Sequence, residues 1–280
     1  MIITVTDPAD ERLQPFRWRD RQLASRTDRL ETVGAGLFVA EGDLVVERAL
    51  TAGCIPRTLL CDETMTPAFA ARLPDIDIFC GPEDLRREVT GLGVPLRAMG
   101  LFVRPPLVAP GNLIGSCTRI VVAEAVDNPT NLGSIVRSAV ALGWHGLVLS
   151  RGSTDPLARR ALRVSMGTGL SLPFTRLDGD ESPVPLLHRH GFRTVALTPD
   201  SSAGDLRDMR TDPNERIAVL LGSEREGLRP DTLVEATERV RIPMHNGIDS
   251  LNVGVAAAVA LHALGPTGHR LRRCSAAFTT

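Results

Sequence analysis

Two kinds of apolar pattern alternate along this chain, and the alternation limits its fold more than any other feature. Short runs of β-branched and aliphatic residues read as strands, and between them lie stretches whose apolar positions recur every three to four residues, as on one face of a helix. In the first hundred residues strands are expected at Leu37–Glu41, Thr58–Asp62, Ile76–Cys80 and Ala98–Arg104. Helices are expected between them at Asp43–Gly53, Pro67–Leu73 and Pro82–Leu92, the first with a stripe of Val45, Val46, Ala49 and Leu50. The stretch Arg104–Gly115 then breaks both periodicities with three prolines and two glycines, and it reads as a linker. Beyond it the alternation restarts, with strands at Ile120–Val126, Gly146–Ser150, Arg193–Leu197, Ile217–Leu221 and Val240–Pro243 and helices at Leu132–Leu142 and Val253–Leu264. The expected architecture is α/β: a smaller domain over 1–104, a linker over 105–118, and a larger parallel-sheet domain over 119–280. The last helix is apolar almost all round, so it should be buried between the sheet and something else, such as a second subunit.

Composition closes off several function classes. Apolar residues make up 43% and charged residues 23%, as in globular chains and unlike disordered or fibrous ones. The longest apolar stretch, Val253 to Leu261, is far short of the roughly 20 residues that span a membrane. The first ten residues carry no basic side chain, unlike a secretory or transit signal, and the expected location is cytoplasmic. Net charge is −1, so contact with a polyanion must use local patches. The five cysteines form no C-x-x-C pair, which favours ordinary reduced thiols over a metal or disulfide framework, and no metal is expected.

Open α/β sheets bind ligands beyond the carboxyl ends of their strands, and three loops there carry polar residues and glycines. Asp127–Arg137 turns through Pro129 and Gly133 into a helix, on which Arg137 falls off the core stripe Ile135, Val136, Ala139, Val140 and can meet a phosphate. A plain surface arginine, with Asn131 as a turn or cap residue, is the alternative. Leu221–Leu228 has glycines five residues apart, which lets the backbone approach a ligand; it lacks the lysine of a nucleotide-phosphate loop, and a tight turn with solvated acids is the alternative. Ile242–Asn252 leads directly into the final helix, where Ser250 or Asn252 could simply be its cap.

Together the loops resemble the three motifs of the SpoU/TrmH family of RNA ribose 2′-O-methyltransferases, within the SPOUT class. The matching residues are NPTNLGSIVR (128–137), LLGSEREGL (220–228) and IPMHNGIDSLNV (242–253), joined by RVSMGT (163–168), which is similar to the family's serine-glycine segment. The resemblance is strong over 119–265. It is looser upstream, where FVAEG (38–42) resembles a small α/β RNA-binding domain often fused in front. It implies a C-terminal trefoil-knotted sheet, bent S-adenosylmethionine as cofactor, and a homodimer whose site draws on both copies. Carried over by position, Leu197, Gly222, Ile242, Met244 and Leu251 would hold the cofactor, and Asn131, Arg137, Glu224, Ser250 and Asn252 would serve catalysis. The resemblance casts Arg137 as a base acting from the partner copy. A free guanidinium has a pKa above about 12, so clamping phosphate and stabilising an alkoxide are its safer physical roles.

Ribosomal or transfer RNA would be the substrate, and two arginine clusters are candidates for gripping it. Residues 12–29 carry net +4, with Arg17, Arg19 and Arg21 among them and Phe16 and Trp18 interleaved. That mixture suits phosphate contact plus base stacking, or else a solvated helix with two buried rings. The second cluster, Arg151, Arg159, Arg160 and Arg163, follows a strand end and lies nearer the expected pocket. Two alternatives remain open: an RNA base methyltransferase of the same fold, or a non-catalytic dimeric RNA-binding or assembly factor.

Overall fold

A computed structural model describes residues 1–24, 36–177, 179 and 182–266. Arg26 and Arg29 of the first arginine cluster lie outside the described residues, as do Cys274 and the basic tail from His269 to Arg273. The chain divides into two compact units, Met1–Pro106 with Leu157–Leu170, and Leu107–Pro156 with the residues from Ser171 onward.

In the first unit the described residues form a five-stranded sheet of β1 (Ile2–Thr4), β2 (Leu37–Glu41), β3 (Pro56–Cys61), β4 (Asp77–Cys80) and β5 (Ala98–Val103), in the order β1-β4-β3-β5-β2. β1, β4 and β3 are parallel, and β5 runs antiparallel to both β3 and β2. Helices α1 (Asp43–Thr51), α2 (Thr66–Arg72) and α3 (Glu83–Thr90) fill the connections. α1 buries Val45, Val46 and Ala49, three of the four residues of the stripe visible in its sequence. Phe16 is fully buried in one core cluster with Leu13, Val39, Leu60 and Met99, and Trp18 packs against that cluster. Phe16 is thus core, and stacking on an RNA base is not open to it.

In the second unit the strands are β6 (Arg119–Ala123), β7 (Gly146–Leu149), β8 (Phe174–Arg176), β9 (Phe192–Leu197), β10 (Gly204–Asp205), β11 (Arg216–Leu221) and β12 (Glu238–Arg241). They lie in the order β10-β12-β9-β11-β6-β7-β8, and every neighbouring pair is parallel. All five residues of β6 are buried, as befits a central strand covered on both faces. Among the described residues its α-helices are α4 (Pro110–Ser116), α5 (Pro129–Ala141), α7 (Val184–Arg189), α8 (Pro230–Glu235) and α9 (Val253–Ala263), while α6 (Arg159–Val164) falls between β7 and β8 in the chain.

Two sequence expectations need correction here. The supposed linker contains α4, whose Leu113 and Ile114 are fully buried in the sheet's core cluster. Pro110 occupies the helix's first turn, where a missing N–H costs nothing, so it starts a helix instead of breaking one. The second correction concerns α6, which packs with the first unit although its sequence neighbours belong to the second. Its Arg159 and Arg163 both pair with Glu41, whose side chain is only 1% exposed at the end of β2.

Among the described residues no cysteine forms a disulfide, and burial pushes the Cys61 thiol up to about 12. Among the described residues no helix is long and apolar enough to cross a membrane, and no cluster of metal-binding side chains occurs.

Candidate active site

Because the second sheet is all parallel, its strands end on one edge, and the segments leaving β9, β11 and β12 wall one cavity of 510 Å³. Leu197 stands at the end of β9; Gly222 and Glu224 belong to the loop after β11; Ile242, Met244, Ser250, Leu251 and Asn252 belong to the segment before α9. All five residues expected at the cofactor and three of the five expected in catalysis therefore share one wall. Asn131 and Arg137 stand outside it.

The loop after β11 is pinched at its neck. A Cβ on Gly222 would lie 2.1 Å from the carbonyl carbon of Gly227 and 2.2 Å from the nitrogen of Leu228, so the two backbones pass in contact and only glycine fits. Gly227 has φ +70°, and its N–H donates to the Ser223 carbonyl at 3.0 Å, which closes the neck.

Asn252 joins the three loops. Its Oδ1 accepts from the backbone N–H groups of Gly254 and Val255 at 3.0 and 3.4 Å and so caps α9. That use of the oxygen turns Nδ2 outward, where it donates to Asn131 Oδ1 at 3.0 Å and to Glu224 Oε1 at 2.6 Å. Capping and site-building are thus done by one amide, although they looked like competing readings. Asn131 is not the cap of α5: Asn128 is, accepting from the Thr130 N–H at 2.9 Å. This leaves Asn131 buried in the first turn, held against Asn252 by the close packing of α5 on α9. Ser250 lines the cavity without a hydrogen bond among the described residues. Arg137 is exposed further along α5, and its guanidinium has no hydrogen bond or ion pair among the described residues.

The model of the SpoU rRNA methylase family matches residues 118–262, more than half of the chain and every segment of the cavity wall. The chain belongs to the SpoU rRNA methylase family. A protein of Mycobacterium tuberculosis described as an uncharacterised tRNA/rRNA methyltransferase is 35% identical over 95% of this chain and 93% of its own length. A 23S rRNA (guanosine(2553)-2′-O)-methyltransferase of Bacillus subtilis is 26% identical over 87% of this chain and 93% of its own. Among solved structures, an AdoMet-bound rRNA methyltransferase from Sinorhizobium meliloti shares the fold with a TM-score of 0.79 at 24% identity, over 94% of this chain and 97% of that one. An RNA 2′-O ribose methyltransferase superposes with a TM-score of 0.72 at 26% identity, over 93% and 97%.

The arginines expected to grip RNA fall into two groups in this SpoU-family chain. Arg159 is committed internally: its Nε donates to Glu41 Oε1 at 2.6 Å and its Nη1 to the Trp18 carbonyl at 3.1 Å. Arg17 donates to the Pro8 carbonyl at 2.6 Å but remains on the surface, and Arg19, Arg21, Arg151 and Arg160 are also exposed. Sequence reading passed over Glu124, Arg225 and Asp249. Arg225 and Asp249 line the cavity, and Glu124 is 2% exposed at the end of β6. An acid directly after the apolar run Ile120–Ala123 is a readable signal, because a buried carboxylate must be held by donors.

Proposed function

We propose that the chain transfers the methyl group of S-adenosylmethionine to a ribose 2′-hydroxyl of ribosomal or transfer RNA, as a homodimer in which Arg137 reaches the partner's cavity. The observation that carries this reading is the Asn131–Asn252–Glu224 hydrogen-bonded cluster, which ties the three motif segments together beside one cavity. The cavity suits such a donor. Leu197, Ile242, Met244 and Leu251 offer apolar wall to an adenine, and the bare backbone at Gly222 permits close approach. Glu224, Glu226 and Asp249 outnumber the single cation Arg225 in the wall, a balance that favours a positively charged sulfonium.

When bound, the donor supplies an electrophilic methyl group on sulfur. This chain's residues would then align and prepare the attacking oxygen. Glu224, Asn131 and Asn252 hold the loops in one geometry, so that the hydroxyl meets the methyl in line. Arg137, as a cation, would hold the neighbouring phosphate and stabilise the oxygen while its proton passes to water; the new O–C bond would replace the donor's S–C bond, whose electrons stay on sulfur as a neutral thioether. Arg137 is exposed and outside its own cavity, and α9 presents an apolar stripe to solvent; a second copy accounts for both. The knotted threading of the segments after β11 and β12 belongs to the same proposal, and the exposed arginines of both units support a part for each in RNA contact.

The test is nucleoside mass spectrometry of ribosomal and transfer RNA incubated with the protein and labelled donor. One labelled 2′-O-methyl nucleoside is expected with the native chain and none with Arg137→Ala. A labelled methyl on a base would refute the assignment to ribose, and full turnover by the variant would remove Arg137 from the site.

A further inference from the structure

We propose that Glu124 is a positioning residue for the loop 222–228, fastening both of its ends at once; the inference rests on the donor-binding role given to that loop above. Glu124 follows β6 directly, and its backbone N–H donates to the Leu221 carbonyl at 2.8 Å, one residue before the loop begins. Its carboxylate crosses to the other end. Oε1 accepts from the Arg229 N–H at 2.6 Å, one residue after the loop closes, and Oε2 accepts from Thr232 Oγ1 at 2.7 Å in α8. The Arg229 Nε lies 3.7 Å from Oε1 and balances the charge. Entry and exit of the loop are thus held by one residue, the entry by its backbone and the exit by a side chain that is 3% exposed.

The arrangement answers a specific mechanical need. The loop makes few bonds of its own beyond the neck, where Ser223 accepts from Gly227 and its Oγ accepts from the Glu226 N–H at 3.1 Å. Its tip carries Glu224, which must reach Asn252 at 2.6 Å, and its neck carries the Gly222 backbone in the cavity wall. If the exit end swings, the tip moves with it, and a displacement near 1 Å takes a hydrogen bond out of range. Misplacements of that size can cost about a hundredfold in rate. A carboxylate suits the task because its two oxygens serve two elements at once. Alanine would abandon Thr232 and the Arg229 N–H, whereas glutamine keeps an acceptor for Arg229 and offers its amide N–H to the Thr232 hydroxyl.

Two measurements on the full chain test this, each with the native protein, Glu124→Ala, Glu124→Gln and Thr232→Val. The first is hydrogen exchange without donor. Amides of 222–228 should exchange about tenfold faster in Glu124→Ala and about threefold faster in Thr232→Val, with the rest of the sheet unchanged. The second is calorimetric titration with S-adenosylmethionine below the melting transition. Donor affinity should weaken at least about tenfold in Glu124→Ala, with Glu124→Gln within about threefold of native. Unchanged loop exchange, or native donor affinity in Glu124→Ala despite a lower melting temperature, would reduce Glu124 to a purely structural role. Should Glu124→Ala fail to fold, Thr232→Val decides the matter, since native exchange and affinity there would overturn the proposal. A native chain that binds no donor would sink the function proposed above, while the exchange measurement would still decide the role of Glu124.

Discussion

Asn252 shows how little chemistry separates a structural residue from a functional one. Its oxygen satisfies two N–H groups of α9 and its nitrogen serves Asn131 and Glu224, so substitution can separate the two halves. Asn252→Asp keeps an oxygen for the helix but sets oxygen against oxygen at Asn131 and Glu224; Asn252→Ala loses both. The alanine variant should lose about 0.5–2 kcal/mol of stability through the missing cap, with the aspartate variant losing less. Both should lose methyl transfer, and thermal melts beside the RNA assay read the two effects separately. Full activity in Asn252→Asp would show that the amide nitrogen has no part in the site. The sequence displayed Asn252 but could not rank its roles, because a capping side chain and a site amide look alike in one dimension. Glu124 was less visible still, since its partners lie more than a hundred residues away in the chain.

At the scale of elements, periodicity carried most of what could be read. The long strands and helices fall close to where their apolar spacing puts them, because burial on one face or two leaves a pattern that survives in sequence. The misses have separate causes. β8 and β10 are only three and two residues long, too short for any period to register. α4 was hidden by a proline that begins a helix. α9 is a different case: it was expected to lie between the sheet and something else such as a second subunit, and in the single chain its Val255 is 51% and its Val259 40% exposed. The two valines are four positions apart and share one face of the helix, an apolar stripe of the kind a second copy can cover. Replacing Val255 and Val259 together by aspartate should shift the sedimenting species from two chains to one and abolish methyl transfer, with donor affinity kept within about threefold. A native chain that sediments as a monomer would refute the dimer directly.

For the whole molecule, the consequential feature is the excursion of 157–170, which supplies α6 to the first unit and puts two arginines on the buried Glu41. Removing one side of a buried pair costs about 3–5 kcal/mol, a large share of a small domain's stability. A fragment ending at Pro106 should therefore fail to give a cooperative melt, and adding Glu41→Gln, which removes the stranded charge, should recover part of it. A fragment that melts like the parent would show that the arginines contribute nothing. The excursion also means that the backbone passes between the two units three times. A single junction in the gene therefore cannot part the two cleanly: a cut after Pro106 leaves 157–170, a piece of the first unit, on the wrong side.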